Sequence, residues 1–269
     1  MINTAKKAAL EAGKILTQHF GNLEKNHIRE KTKNDFLSFV DENSEKAILS
    51  VIQDAWPDHN ILAEEGGEIN QDSPYRWIID PLDGTRNYIC GIPVFSVSIG
   101  LQFEGEMILG IVYDPIREEM FWAEKDKGAF LNDRRIRVTD NENLSDSIIA
   151  TGFPFKSKQF LPDYLKSFEK IFNDCNGIRR LGSAAIDLAY VAAGRFDGYW
   201  ELGLSPWDMA AGAILIKEAG GRMTDFWNQP YFLNNTYVVA SNGKIHSQLA
   251  ERVQKDFPFF KPVYSAQGV

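Results

Sequence analysis

Along the first twenty residues Ala5, Ala8, Ala9, Ala12, Ile15, Leu16 and Phe20 recur every three or four positions. That spacing places them on one face of an amphipathic helix, which Gly21 stops. The same period returns from Ser44, with Ala47, Ile48, Val51, Ile52 and Ala55 ahead of Pro57. Between the two, residues 31–41 are polar and read as a loop leading into the second helix. The period then shortens. Residues 76–80 form an apolar run ending in an acid, and within 94–101 the side chains of Phe95, Val97, Ile99 and Leu101 share one face of a strand. Residues 110–113 and 120–124 predict further strands, joined by the turn at Asp114-Pro115. Helices followed by strands give an α+β pattern.

After about Asn141 the order alternates. Strands are expected at 147–151, 179–181, 198–201, 221–225 and 237–240, and helices at 164–172, 184–194, 206–219 and 246–254. This half reads as α/β. The expected organisation is an N-terminal α+β part (1–140) and a C-terminal α/β part (141–269), packed together with a cleft between them. Ligands tend to bind in such clefts.

Composition narrows the function. The 29 Lys and Arg against 37 Asp and Glu leave a net charge of −8, which argues against a nucleic-acid or anionic-membrane surface. Only Cys90 and Cys175 are present, far apart, so neither a zinc cluster nor a disulfide framework is expected, and a reducing compartment is the simplest setting. Lys6, Lys7 and Glu11 interrupt the apolar residues at the start, unlike a signal peptide, and no apolar run is long enough to span a bilayer. A cytoplasmic globular protein is expected.

The stretch Asp80-Pro81-Leu82-Asp83-Gly84-Thr85 carries the strongest chemical signal. Two carboxylates three residues apart stand at the end of a buried strand, followed by Gly and by a candidate first helical turn, where backbone N–H groups bind phosphate. Such a pair beside an anion cradle calls for a cation between them. Glu64-Glu65-Gly66-Gly67 and Trp207-Asp208 supply further acids, although Asp208 is equally well placed as a helix cap. Should Glu64, Asp80, Asp83 and Asp208 converge, ionised pairs about 4 Å apart would repel by roughly 4 kcal/mol each at an effective dielectric of about 20. An all-oxygen donor set suits Mg²⁺ or Mn²⁺ rather than zinc.

Two stretches in this order, residues 77–88 (WIIDPLDGTRNY) and residues 207–221 (WDMAAG through EAGG), make the chain resemble the inositol monophosphatase family of Mg²⁺-dependent, lithium-sensitive phosphatases, its bacterial branch above all. The resemblance spans Lys31 to Gly221 in motif terms, and the tail after Phe257 carries no signal. It implies the layered αβαβα sandwich, partly α+β and partly α/β, shared with fructose-1,6-bisphosphatases. It also implies hydrolysis of a phosphate monoester, inositol 1-phosphate first, with two or three Mg²⁺ ions, Mn²⁺ as a substitute and Li⁺ as an inhibitor.

By the same resemblance, Glu64, Asp80, Asp83 and Asp208 hold metal together with the Leu82 carbonyl. Glu65 and Thr85 orient and deprotonate the attacking water, and the N–H groups of Gly84 and Thr85 hold phosphate. Lys31 and Asp41 belong to a loop associated with a third, weaker metal; Gly182, Ser183, Ala184 and Glu201 contact substrate hydroxyls. A homodimer is implied. So is a possible partner in the transcription machinery, since residues 177–190 are close to a bacterial relative that doubles in that role.

The substrate stays open. Ser205 stands where animal enzymes often carry His and one bacterial group Arg, and Gly152-Phe153-Pro154 replaces a Ser that can reach substrate. A 3′(2′),5′-bisphosphate nucleotide, fructose 1,6-bisphosphate, histidinol phosphate and NADP remain alternatives. Taken alone, Asp41, Lys31 and Glu201 read as ordinary surface charges and Arg179-Arg180 as residues in surface or interface ion pairing rather than anion binding; His19, His27, His59 and His246 receive no role.

Overall fold

The computed structural model describes residues 1–23, 28–32 and 35–258, with backbone alone at 28–32 and 35–38. Alternation of side chains along the strands decides how the layers stack. Helices α1 (Ile2–His19) and α2 (Phe39–Ala55) flank a hairpin of β1 (Ile28–Thr32) and β2 (Asp35–Ser38). There follow β3 (Asn60–Ala63), β4 (Gly67–Ile69), β5 (Tyr75–Asp83), the short α3 (Thr85–Ile89), β6 (Ser96–Phe103), β7 (Glu106–Asp114), β8 (Glu119–Glu124), β9 (Gly128–Leu131) and β10 (Arg134–Ile136). They form an eight-stranded sheet in the order β10-β9-β8-β7-β6-β5-β3-β4, antiparallel except for β3 against β5.

The second sheet has five strands, β12-β11-β13-β15-β14. They are β11 (Ile148–Thr151), β12 (Gly177–Arg179), β13 (Gly198–Leu202), β14 (Arg222–Thr224) and β15 (Tyr237–Ser241). Helices α4 (Leu161–Asp174), α5 (Ala184–Ala192), α6 (Pro206–Glu218) and α7 (His246–Gln254) are interleaved with them.

On β5, Trp77 and Ile79 pack with α1 and α2, while Ile78 between them faces α5 and α6. On the smaller sheet, Ala150, Tyr199 and Ala240 face those same two helices, whereas Ile149, Trp200 and Val239 face α4 and α7. The layers therefore run α1/α2, large sheet, α5/α6, small sheet, α4/α7: the αβαβα sandwich. Helix α6 sits in the middle and is buried from Met209 through Ile216, as an all-round apolar helix must be. Among the described residues no helix is long and apolar enough to cross a membrane.

The structure corrects the reading of 31–41 as a loop. Residues 31–32 and 35–38 belong to the paired strands β1 and β2, and 39–41 to the first turn of α2, which begins at Phe39, five residues before Ser44. Val40 and Asp41 are buried there, and Asp41 and Glu42 place negative charge where the N-terminal helix dipole favours it. Strands β3, β4, β9 and β10 have no counterpart in the sequence reading. Each is three or four residues long, and β4 and β10 are edges carrying Glu68, Arg134 and Arg135 on their exposed positions.

Candidate active site

Strands β3 and β5 run parallel with Ala63 paired to Ile79, so Glu64, one residue past β3, comes beside Asp80; its N–H donates to Ile79 O at 3.1 Å. The register between β5 and β6 shifts between Asp80 and Asp83. This bulge at Pro81-Leu82 re-aims the chain, as bulges do next to sites, and lets two acids three residues apart address one point. Asp208 is the third residue of α6, whose start is tied to β6 by Ser98 Oγ donating to Trp207 O at 3.0 Å. Asp80, Asp83 and Asp208 each offer one carboxylate oxygen, all within 4.8 Å of one another.

Each of these acids is also held by the chain. Asp80 Oδ1 accepts from Leu82 N–H at 2.9 Å, and Asp208 Oδ2 accepts from Ser205 N–H at 2.7 Å, one half of a capping box. Asp83 Oδ2 accepts from Ala185 N–H at 2.8 Å and from the Ser183 hydroxyl. Burial, then the charges of Glu64, Asp83 and Asp208, push the Asp80 carboxyl well above its usual range. Burial and the Asp208 charge push Asp83 up to about 7, against the downward pull of the Ser183 and Ala185 bonds. Buried carboxylates this close need either protons or a cation. Their donors are all hard oxygens, which fits Mg²⁺ or Mn²⁺.

The cluster lies in a cavity of about 460 Å³. On one wall Gly84 holds φ +94°, and a Cβ there would sit 3.0 Å from Val94 O and 3.3 Å from Gly182 O, so only glycine fits without strain. Thr85 Oγ1 follows, sharing its proton between Leu82 O at 3.0 Å and Asp41 Oδ1 at 3.2 Å. On the opposite wall, Glu201 Oε2 accepts from the Tyr199 hydroxyl, and the Glu201 carboxylate occupies the space that a side chain at Gly152 would need. Burial raises Glu201 to about 7 although Tyr199 and Arg180 pull it down.

Of the residues singled out from the sequence, Glu64, Asp80, Leu82, Asp83, Gly84, Thr85, Gly182, Ser183, Ala184, Glu201 and Asp208 all line this one cavity. Asp41 is buried and reaches the site through Thr85. Glu65 does not line the cavity; its N–H donates to Glu45 Oε2 at 2.9 Å. Lys31 falls on β1, where side chains lie outside the described residues, and His27 is likewise outside them.

Sequence reading missed Arg86, Phe155 and Lys156, noted Phe153 only within the Gly152-Phe153-Pro154 replacement, and took Arg180 for a surface or interface ion-pairing residue. All five line the cavity mouth, with the Arg180 guanidinium 5.7 Å and 5.6 Å from the Phe153 and Phe155 rings. The one available signal was the pair of Phe residues in a short polar stretch, 39% and 50% exposed in the fold. His59 stacks between Trp56 and Tyr75, and His246 lies between Thr224 and Ser241, so both serve the core.

The model of the Inositol monophosphatase family matches residues 1–257. The Nus factor SuhB of Pseudomonas aeruginosa is 43% identical over 263 residues, covering 96% of this chain and 97% of that protein. The inositol-1-monophosphatase of Mesorhizobium japonicum is 42% identical over 256 residues, covering 95% and 96%. The crystal structure of the extragenic suppressor protein suhB from Bartonella henselae superposes with a TM-score of 0.90 at 41% identity, covering 94% of this chain and 98% of that one. Agreement of this extent in sequence and in layered fold shows that the chain belongs to the inositol monophosphatase family of phosphatases.

Proposed function

We propose that the chain hydrolyses a phosphate monoester of inositol or a similar polyol, using Mg²⁺ held by Glu64, Asp80, Asp83, Asp208 and the Leu82 carbonyl. The convergence of Asp80, Asp83 and Asp208 within 4.8 Å, beside the glycine turn at Gly84, carries this reading. The cation, when bound, supplies charge neutralisation at the phosphoryl oxygens and acidifies water. The chain's own residues do the rest. The N–H groups of Gly84 and Thr85 receive the phosphate, and Glu65 with Thr85 orients the attacking water and takes its proton. Gly182, Ala184 and Glu201 face the hydroxyls of the leaving polyol, and Asp41 and Lys31 belong to the part of the site that holds a further, weaker ion. Attack by water needs no protein nucleophile.

The test is phosphate release from inositol 1-phosphate, fructose 1,6-bisphosphate, adenosine 3′,5′-bisphosphate and histidinol phosphate, with and without Mg²⁺. Preference for inositol 1-phosphate with an absolute Mg²⁺ requirement supports the proposal; metal-independent release overturns it.

A second reading is favoured by the relative named Nus factor. The chain doubles as a protein partner of the transcription machinery. A variant without phosphatase activity that still binds such a partner would separate the two roles.

A further inference from the structure

We infer that Ser183 is a positioning residue for the cation site: its hydroxyl holds one oxygen of Asp83, so that Asp83 gives a cation only the other, and so ties cation binding to the start of α5. The inference rests on the cation reading above. Asp83 ends a strand of the large sheet, while Ser183 is the N-cap of a helix in the middle layer. Ser183 is 1% exposed, and its proton is directed at Asp83 Oδ2, the same oxygen that accepts from Ala185 N–H at 2.8 Å. The remaining capacity of the hydroxyl faces Ile186 N–H and Ser96 Oγ, each at 3.4 Å. A hydroxyl so engaged turns toward the acid rather than toward a substrate hydroxyl.

The three clustered acids share this arrangement, but not its source. Asp80 and Asp208 are held by the backbone N–H of Leu82 and Ser205, two and three residues away. Asp83 is held by a side chain as well, from a residue 100 positions along the chain. Ser183 is therefore a point where a substitution changes the hold on a donor without altering the donor itself. Groups that orient a ligating carboxylate typically contribute 10–100-fold to metal affinity. Ala185 N–H still restrains Oδ2 when the hydroxyl is removed, which puts the expected loss near the lower end.

A carboxylate with one oxygen occupied cannot chelate with both. Mg²⁺ demands single oxygens in near-octahedral positions, whereas Ca²⁺ accepts bidentate carboxylates and flexible geometry. Releasing Oδ2 therefore weakens Mg²⁺ more than Ca²⁺. Coupling is also reciprocal: whatever factor the start of α5 adds to cation affinity, the bound cation returns to the hold on α5.

The experiment titrates Mg²⁺ and Ca²⁺ calorimetrically into chelator-treated full-length wild type, Ser183→Ala and Ser183→Thr. The expected result is a roughly tenfold weaker Mg²⁺ affinity in Ser183→Ala, a smaller change for Ca²⁺, and recovery in Ser183→Thr, which keeps the hydroxyl. Wild-type Mg²⁺ affinity in Ser183→Ala overturns the inference and leaves the phosphatase reading standing. A wild type that takes up no Mg²⁺ overturns both. Should Ser183→Ala fail to fold, amide exchange on the wild type decides: Mg²⁺ should slow the Ala185 amide by about tenfold, and an unchanged rate overturns the inference.

Discussion

Replacing Asp83 by Asn should make the metal-free protein more stable at alkaline pH while destroying its use for a cation. Asn Oδ1 can accept from Ser183 and Ala185 as Asp83 Oδ2 does, and its amide can donate toward Asp208, so the local hydrogen bonds survive. The charge does not. Asp83 is raised from 3.8 to about 7, by burial first and by Asp208 second. At roughly 1.4 kcal/mol per pH unit, that difference amounts to about 4 kcal/mol. Coulomb's law at the 4.8 Å limit of the cluster and a dielectric of about 20 gives about 3.5 kcal/mol for one ionised pair, the same order. Because the folded state holds this proton more tightly than the unfolded chain, its stabilisation is complete below pH 3.8 and is lost as pH rises toward 7. Between pH 5 and 8 wild type should lose about 3 kcal/mol through this group, a fall in Tm of roughly 6–12 °C that Asp83→Asn escapes. Scanning calorimetry of both proteins in chelator, at pH 5 and pH 8, reads out Asp83 together with its push on Asp80, which the variant also relieves. Added Mg²⁺ should then raise the Tm of wild type far more than that of the variant. Parallel pH dependence in the two proteins would refute the reasoning.

Gly84→Ala forces a Cβ onto a left-handed residue and within 3.0 Å of Val94 O, which should cost about 2 kcal/mol in urea unfolding and sharply reduce kcat by moving the phosphate-facing amides. Unchanged stability would show that the turn relaxes freely. Glu65→Gln should lower kcat by about 10²–10⁴-fold with Mg²⁺ affinity largely kept; a loss of affinity equal to that of Glu64→Gln would make Glu65 a ligand instead. Tyr199→Phe removes a donor that lowers Glu201, so the acidic limb of the KM profile, governed by Glu201 near 7, should move to higher pH; an unmoved limb would separate Glu201 from substrate binding.

Much of this site was legible because its acids sit inside strongly patterned segments. Trp77, Ile78 and Ile79 announce a strand buried on both faces, and the acid that ends it is out of place in such a run unless it has work there. Pro206 and Gly220 bracket α6 even though its all-apolar surface shows no preferred face. The hairpin ahead of α2 was hidden because its pairing is local and carried by backbone, and the polar side chains of 28–38 follow no two-residue alternation. The cavity mouth was hidden for another reason. Lys156 and Arg180 carry charges that any surface would carry, and only the folding of two distant segments over the ends of β3 and β5 brings them beside the acids.

The acids occupy places where regular hydrogen bonding stops, and that location resolves a conflict. Inside a strand or a middle-layer helix, a carboxylate would meet apolar neighbours and backbone donors already engaged, with nothing to offset the cost of burial. At a bulge or in a first helical turn, N–H groups are left without partners of their own. Leu82, Ser205 and Ala185 each present such an N–H to one oxygen of Asp80, Asp208 and Asp83 respectively. The interruptions that the fold must contain, where β5 bulges and where α5 and α6 begin, thus supply the donors that allow three acids to be buried together. Those bonds fix orientation but only partly offset the repulsion, since Asp80 and Asp83 both stay raised despite them. The strain that is left is electrostatic, and either a proton or a divalent cation held among the three acids relieves it.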